Sequence, residues 1–384
     1  MSRLVGHLDR RHILAFVLIL TVYLAPMLYF SDVNLKEAEY EYSISVTFRN
    51  TGGSPVALVP SMKILNLFPN ATWQSSRLIS ASEGYVTTKD SENNPILNVS
   101  LASVPAHADL TLYVSQRVTK VIQEKPSLEY AKSGVLDDIP SRLKIQSIQE
   151  SDTWQTDGAK LRLLADEIWD SVDRSPNVLR VATAVADWIG KNVGPADHDA
   201  PYGPVETYES RVGDCDDQAM LLATLLRILG IPAYLQVGAL WTEQSAEDEY
   251  WNGTVASTFT NIAYHGWAIV YVPPWGWLPF DMTWGWQSDQ AFAATRNAPI
   301  LTTRGFTMLN VTTMDWVREG RDLKGWFLEN GLTSHEEHSL NRIQTSSIFH
   351  AARSIYPWFH AIVIVEAAAM FIVLRPKLRF GKET

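Results

Sequence analysis

Val212-Gly213-Asp214-Cys215-Asp216-Asp217-Gln218-Ala219-Met220-Leu221-Leu222-Ala223-Thr224-Leu225-Leu226-Arg227-Ile228-Leu229 is the stretch that decides how the rest of the chain is read. It holds the single cysteine of 384 residues, Cys215. Leu221, Leu222, Leu225, Leu226 and Leu229 recur at the spacing of one helix face. Gly230 supplies a stop and Pro232 bars continuation. The spacing predicts a buried helix with Asp214 as N-cap and Cys215 in the first turn. Unpaired N–H groups and the positive end of the helix dipole would there stabilise a thiolate and lower the thiol pKa. A lone free cysteine is also a common core filler, and this stretch alone leaves both readings open.

The elements downstream favour a nucleophile. Tyr264-His265-Gly266-Trp267-Ala268-Ile269-Val270-Tyr271-Val272 is rich in aromatic and β-branched residues and reads as a strand. Pro273-Pro274-Trp275-Gly276 make a turn, and Trp277 to Asp281 form a second short strand ending on an acid. Hairpin neighbours can set His265 beside Asp281. The histidine would then take the thiol proton, while the aspartate fixes the imidazole tautomer and stabilises its charged form.

These residues resemble the transglutaminase-like superfamily of papain-like cysteine enzymes. G-D-C-D-D with LLRILGIPA, then H-G-W-A-I-V-Y-V, then W-L-P-F-D-M-T carry the resemblance, which covers residues 161–283, roughly a third of the chain. Position by position it implies Cys215 as nucleophile, His265 as general base and Asp281 as the residue that orients the histidine. Met282 stands where the family usually has Pro or Ala, a departure that removes no reacting group. The superfamily includes peptidases, amidases, acyl transferases and inactive members, so the resemblance leaves the reaction open.

Composition bounds the remainder. Hydrophobic residues make up 46%, enough for a proper core, and the net charge of −10 argues against a nucleic-acid partner. One cysteine excludes an intramolecular disulfide and a multi-cysteine metal site. No cofactor and no metal are expected.

Both ends read as membrane spans. Arg3, Arg10 and Arg11 precede an uncharged run from Ile13 to Phe30, whose 18 residues reach the length of a spanning helix. A signal peptide is the rival reading, disfavoured because no small-x-small cleavage site precedes Ser31. Trp358 to Leu374 is apolar apart from His360 and Glu366, and Arg375, Lys377, Arg379 and Lys382 follow. The basic flanks place both termini in the cytoplasm and the acidic middle outside. Glu366 is costly in lipid unless paired, with Tyr23 or Thr21 as partners on the first span, or protonated. Sequons at Asn70, Asn98, Asn252 and Asn310 fit an external domain.

The expected architecture is α+β. Transmembrane helices at 12–30 and 357–375 flank a small β-sandwich at 36–125, a linker at 126–156, a papain-like transglutaminase core at 157–300 and an extension at 301–356. Tyr40, Tyr42, Ile44, Val46 and Phe48 alternate as in a half-buried strand. Further strand-like runs at 57–59, 96–101 and 110–118 suggest the sandwich, which reads as a spacer rather than a binding module. Leu161, Leu164, Ala165 and Ile168, then Val178, Val181, Val185 and Trp188, mark two helices. Residues 194–210, with Asp197, His198 and Asp199, read as a solvated loop in preference to a metal site. Residues 241–259 read as a polar loop over the site, either selecting substrate or inert. Trp275, Trp277, Trp284 and Trp286 read as buried aromatics, with a groove lining as the alternative. Residues 314–332 include an amphipathic helix expected to pack on the core.

The expectation is a membrane-anchored, extracytoplasmic enzyme acting on amide bonds of proteins or peptides through a thioester at Cys215, His265 and Asp281. The Cys215 backbone N–H would donate to the oxyanion. Hydrolysis and amine transfer share the first half-reaction and stay undivided. An inactive binding or scaffold protein of the envelope, or an assembly component working through its spans, are the alternatives.

Overall fold

Alternation of buried and solvated side chains builds the first strand. Tyr40, Tyr42, Val46 and Phe48 point inward along β1 (Glu37–Asn50). The structure is a computed structural model that describes residues 37–146 and 150–343. The two expected spans, 12–30 and 357–375, and the Glu366 contact lie outside the described residues. Among the described residues no helix is long and apolar enough to cross a membrane.

β1 pairs antiparallel along its length with a later strand of the same half, Ala108–Val121. That strand also pairs with Gln74–Ala81. In chain order these are β2 (Gln74–Ala81) and β3 (Ala108–Val121). The other strands of the same sheet are β4 (Ala233–Tyr250), β5 (Val255–Val272), β6 (Gly276–Phe280), β7 (Gly305–Val311) and β8 (Leu332–Ile343). Their order is β7-β4-β5-β8-β1-β3-β2, with β6 attached to β5. The helices are α1 (Ala159–Asp170), α2 (Val178–Asn192), α3 (Pro204–Ser210), α4 (Cys215–Ile228) and α5 (Trp316–Asn330).

The fold is mixed α/β and rich in strands, and its divisions differ from those expected. Residues 37–121 are strands, turns and one 3-10 turn, and β1, β2 and β3 continue the sheet that carries β4 and β5. The described residues up to Asn341 form one compact unit. Polar side chains fasten the halves together. Gln74 pairs with the Thr307 main chain like a missing strand residue: Nε2 donates to the carbonyl at 2.9 Å and Oε1 accepts the N–H at 3.0 Å. Asn94 does the same with Asn310, at 2.9 and 2.7 Å. Fully buried Lys120 on β3 donates to the Ile300 carbonyl at 2.9 Å, and burial pushes its ammonium pKa down to about 7. The boundary expected at 300 also cuts through the sheet, because β7 and β8 belong to it.

Two further segments differ from their sequence reading. The expected linker, 126–156, is packed: Leu128, Ile139 and Trp154 are buried in the same cluster as α1, α2 and α4. Trp154 lies under the Arg227 guanidinium, 3.6 Å from its ring centre. Its sequence is polar because few of its side chains face the core, these three with Tyr130 and Leu136 packed against the same cluster. The expected loop at 241–259 is the far end of a long hairpin. β4 and β5 pair from Ala233↔Val270 to Tyr250↔Val255, with an irregularity between Trp241 and Ser245. Glu243, Glu247, Asp248 and Glu249 are exposed along it. The ladder there rests on backbone hydrogen bonds, and charges suit an uncovered strand end, so hydrophobic alternation carries no signal. The stretch at 194–210 likewise contains α3.

Where the site is built, the sheet is covered on both faces. Ala268, Val270 and Val272 of β5 face the helical cluster, while Trp267 and Ile269 pack on Ala298, Ile300 and Leu301. α5 packs on this body as expected, through Val317 and Phe327. Replacing Trp154→Ala in the supposed linker is expected to cost about 3–5 kcal/mol. Urea unfolding checks this, and a change below about 1 kcal/mol would restore the linker reading.

Candidate active site

Asp214 caps α4 as its sequence position predicts. Its side chain accepts the Asp217 N–H at 3.2 Å, and the Asp217 carboxylate accepts the Asp214 N–H at 3.2 Å. This reciprocal box satisfies donors that the first turn leaves unpaired. Cys215 is therefore the first residue of the helix, partly buried.

The helix start meets β5 at Gly266, the residue after His265. The Gly266 N–H donates to Cys215 Sγ at 3.3 Å. A Cβ at Gly266 would stand 3.0 to 3.2 Å from the Asp216 Cβ, Cα and N. Only glycine lets strand and helix approach this closely. His265 is buried, and its Nε2 lies 2.7 Å from Asp281 Oδ2. The β5–β6 hairpin brings this about: Ala268 pairs with Phe280, so Asp281 leaves β6 alongside His265. The other Asp281 oxygen, Oδ1, accepts the N–H groups of Thr283 (3.1 Å), Trp284 (2.8 Å) and Gly285 (3.3 Å). A carboxylate so held is an acceptor, which places the His265 proton on Nε2 and leaves Nδ1 with its lone pair.

Of the three residues singled out from sequence, the structure pairs His265 with Asp281 and seats the Cys215 sulfur on the main-chain N–H of the residue that follows His265. Their electrostatics differ from expectation in one respect. Burial raises the Cys215 thiol pKa well above its ordinary value, and the Asp216 and Asp214 carboxylates add to this. The Gly266 and Asp216 N–H groups pull the other way and lose. Desolvation and the neighbouring acids thus act against the stabilisation that a helix terminus offers a thiolate.

Three residues around the sulfur were not found from sequence. Asp217 is fully buried and accepts the Tyr202 N–H at 2.8 Å. Its signal was the Asp-x-x-Asp spacing of a capping box. Trp316, at the start of α5, donates Nε1 to Asp216 Oδ2 at 2.7 Å, a contact across 100 residues with no local signature. Gly266 stands inside the strand motif quoted from sequence, and its role follows only from its contact with α4.

Asp214, Cys215 and Asp216 place ligand atoms within 4.8 Å of one another, close enough for a cation. Their oxygens already have partners, in the cap and in Trp316. His198 and Asp199 take separate partners. His198 stacks on Tyr202 with its Nε2 3.8 Å from Asp217, while Asp199 faces Lys324 at 3.7 Å. His198 and Asp199 also line a cavity of about 630 Å³ with Glu206, Arg321 and Lys324. Of the sequons, Asn70, Asn98 and Asn252 are exposed, whereas Asn310 Oδ1 is held by Gln236 at 2.6 Å.

Known proteins share this arrangement in part. Residues 164–282 match the family described as the transglutaminase-like superfamily. The uncharacterized protein YebA of Bacillus subtilis (strain 168) is 27% identical over 201 residues, which are 48% of this chain and 24% of that protein. The chain therefore spans about a quarter of the length of that relative. A crystal structure of a candidate cysteine protease from Cytophaga hutchinsonii superposes with a TM-score of 0.52 at 15% identity, covering 81% of this chain and 92% of the other. At that identity the likeness is one of fold.

Burial, a hydrogen bond to Asp216 and the charges of Asp216 and Asp217 raise the Asp214 pKa. A raised carboxyl keeps its proton in the folded protein where the unfolded chain has lost it. Stability from this group is thus full at low pH and lost as pH climbs above the ordinary carboxylate range. Asp214→Asn keeps an N-cap and has no proton to lose. Its Tm relative to the parent should be higher at pH 8 than at pH 4. An equal or opposite difference in scanning calorimetry would show Asp214 to be ionised in the fold.

Proposed function

With residues 164–282 forming a transglutaminase-like core, we propose that this chain is a membrane-anchored cysteine enzyme that cleaves or transfers amide acyl groups of proteins or peptides outside the cytoplasm. The observation that carries the reading is the His265–Asp281 bond of 2.7 Å beside a sulfur that accepts the Gly266 N–H. Catalysis begins from the thiol. His265 Nδ1 takes the proton as Sγ bonds to the substrate carbonyl carbon, and Asp281 stabilises the imidazolium. The Cys215 N–H, at the first helical position, has no acceptor within the helix and is the donor proposed for the oxyanion. The C–N bond then breaks, the imidazolium returns its proton to the leaving amine, and a thioester remains. Water or a second amine releases the acyl group by the reverse sequence.

The placement rests on sequence: the apolar runs at 12–30 and 357–375, with basic residues on one side of each and an acidic stretch between. The elevated thiol favours one rival, an inactive scaffold that retains the fold.

Labelling with iodoacetamide and turnover of a capped peptide library separate the two. The enzyme predicts amide turnover abolished in Cys215→Ala and reduced about 10²–10⁴-fold in His265→Ala, with Cys215 labelling weakened in the same histidine variant. A parent protein that turns over no amide, and that labels no faster than His265→Ala, is a scaffold.

A further inference from the structure

Trp284 is 61% exposed, while Trp267 in the same neighbourhood is 1% exposed. Its ring centre lies 6.0 Å from that of His265, with the planes at 50°. The main chain that carries it is held on both sides. Its own N–H is bound to Asp281 Oδ1 at 2.8 Å. Gly285 has no room for a side chain, since a Cβ would meet the Ala294 carbonyl at 2.8 Å and the Asp281 carbonyl at 2.9 Å. Trp286 packs so closely on Gly190 of α2 that a Cβ there would stand 2.3 Å from its ring, and its Nε1 donates to Asp187 Oδ1 at 3.3 Å. The turn therefore anchors one indole in the core and presents the other to solvent beside the reacting imidazole. A tryptophan left in water forfeits one of the larger apolar burials available to a side chain, and this one is fixed at the site by the residue that orients His265.

We propose that Trp284 determines specificity, its indole taking the apolar or aromatic side chain of a peptide residue flanking the amide that Cys215 attacks. This rests on the peptide-directed reading above. An extended peptide advances about 3.4 Å per residue, so a side chain one or two positions from the reacting carbonyl spans the distance from His265 to the indole. The chemistry of the surroundings selects against charge. Of Asp214 and Asp216 beside Cys215, Asp214 keeps its proton and the Asp216 carboxylate disfavours an acidic side chain. They also offer little to a basic one, because Asp216 Oδ2 already accepts Trp316 Nε1 and Asp214 serves the helix cap.

The test uses acetyl dipeptidyl chloromethyl ketones with phenylalanyl, aspartyl or lysyl side chains, and iodoacetamide as a probe without one. Second-order labelling rates of Cys215 are measured on the full chain and on Trp284→Ala and Trp284→Phe. The phenylalanyl-to-iodoacetamide rate ratio should fall about tenfold in Trp284→Ala and recover in Trp284→Phe, an effect of about 1.4 kcal/mol. An unchanged ratio, or a parent protein that prefers the aspartyl or lysyl probe, overturns the assignment. Slow iodoacetamide labelling indifferent to His265→Ala counts against the enzymatic reading instead, and the ratio still reports on Trp284. Saturation-transfer NMR with acetyl-Ala-Phe-Ala-amide on Cys215→Ala needs no chemistry. Transfer to the phenyl protons should be lost when Trp284→Ala is added, and equal transfer in both proteins overturns the proposal.

Discussion

Everything at the site depends on one contact without a side chain, the approach of the first turn of α4 to Gly266. A Cβ on that residue would meet Asp216 main-chain atoms at 3.1 and 3.2 Å. With hydrogen in its place, the strand donates an N–H to the sulfur at 3.3 Å. The strand is itself immobilised on both faces, by the helical cluster on one side and by residues 298–301 on the other. A loop could not hold a main-chain donor against a sulfur with this constancy, because loops lack the packing that fixes a strand.

The same closeness has an electrostatic consequence. Bringing α4 against β5 removes water from Cys215 and its neighbouring acids, and desolvation favours the neutral form of each. Thiol and carboxyl are both raised. In the proposed reaction a thiol that keeps its proton needs a base, and the hydrogen-bonded His265–Asp281 pair is the one proposed. The Asp281 carboxylate receives three main-chain N–H groups on one oxygen and the imidazole on the other. Its charge is thereby fixed in place before any substrate arrives.

The N-terminal strands bear on the site by making its sheet wider. β5 is flanked by β4 and β8, β8 by β1, and β1 by β3, so among the described residues one sheet runs from the N-terminal strands to the strand that carries His265. Gln74, Asn94 and Lys120 spend their polar groups on the main chain of β7 and of residues 299–301. Buried amides and amines must be partnered, and here the partners lie in the other half of the chain. Shearing these segments apart would take the Ile300 carbonyl from Lys120 and leave Gln74 Nε2 and Asn94 Nδ2 with only the Pro69 carbonyl and Asp90.

Sequence by itself determined the local elements and the identities at the site. A capped helix start at Asp214, an apolar face at helical spacing, and a β-branched strand followed by a turn are written within a few residues of one another. The helices near 161 and 178 were legible for the same reason. What sequence could not determine was any property that depends on neighbours far along the chain. The packing of Trp154 and the shared sheet depend on partners dozens to hundreds of residues away. Trp316 reaches Asp216 across the same kind of gap. The acidic end of the β4–β5 hairpin, by contrast, pairs locally, from Ser245↔Thr260 to Tyr250↔Val255, but without hydrophobic alternation to mark it. The thiol illustrates the division most plainly. Its place at a helix terminus followed from sequence, whereas the direction of its pKa followed from burial, which only the folded arrangement of α4 on β5 decides.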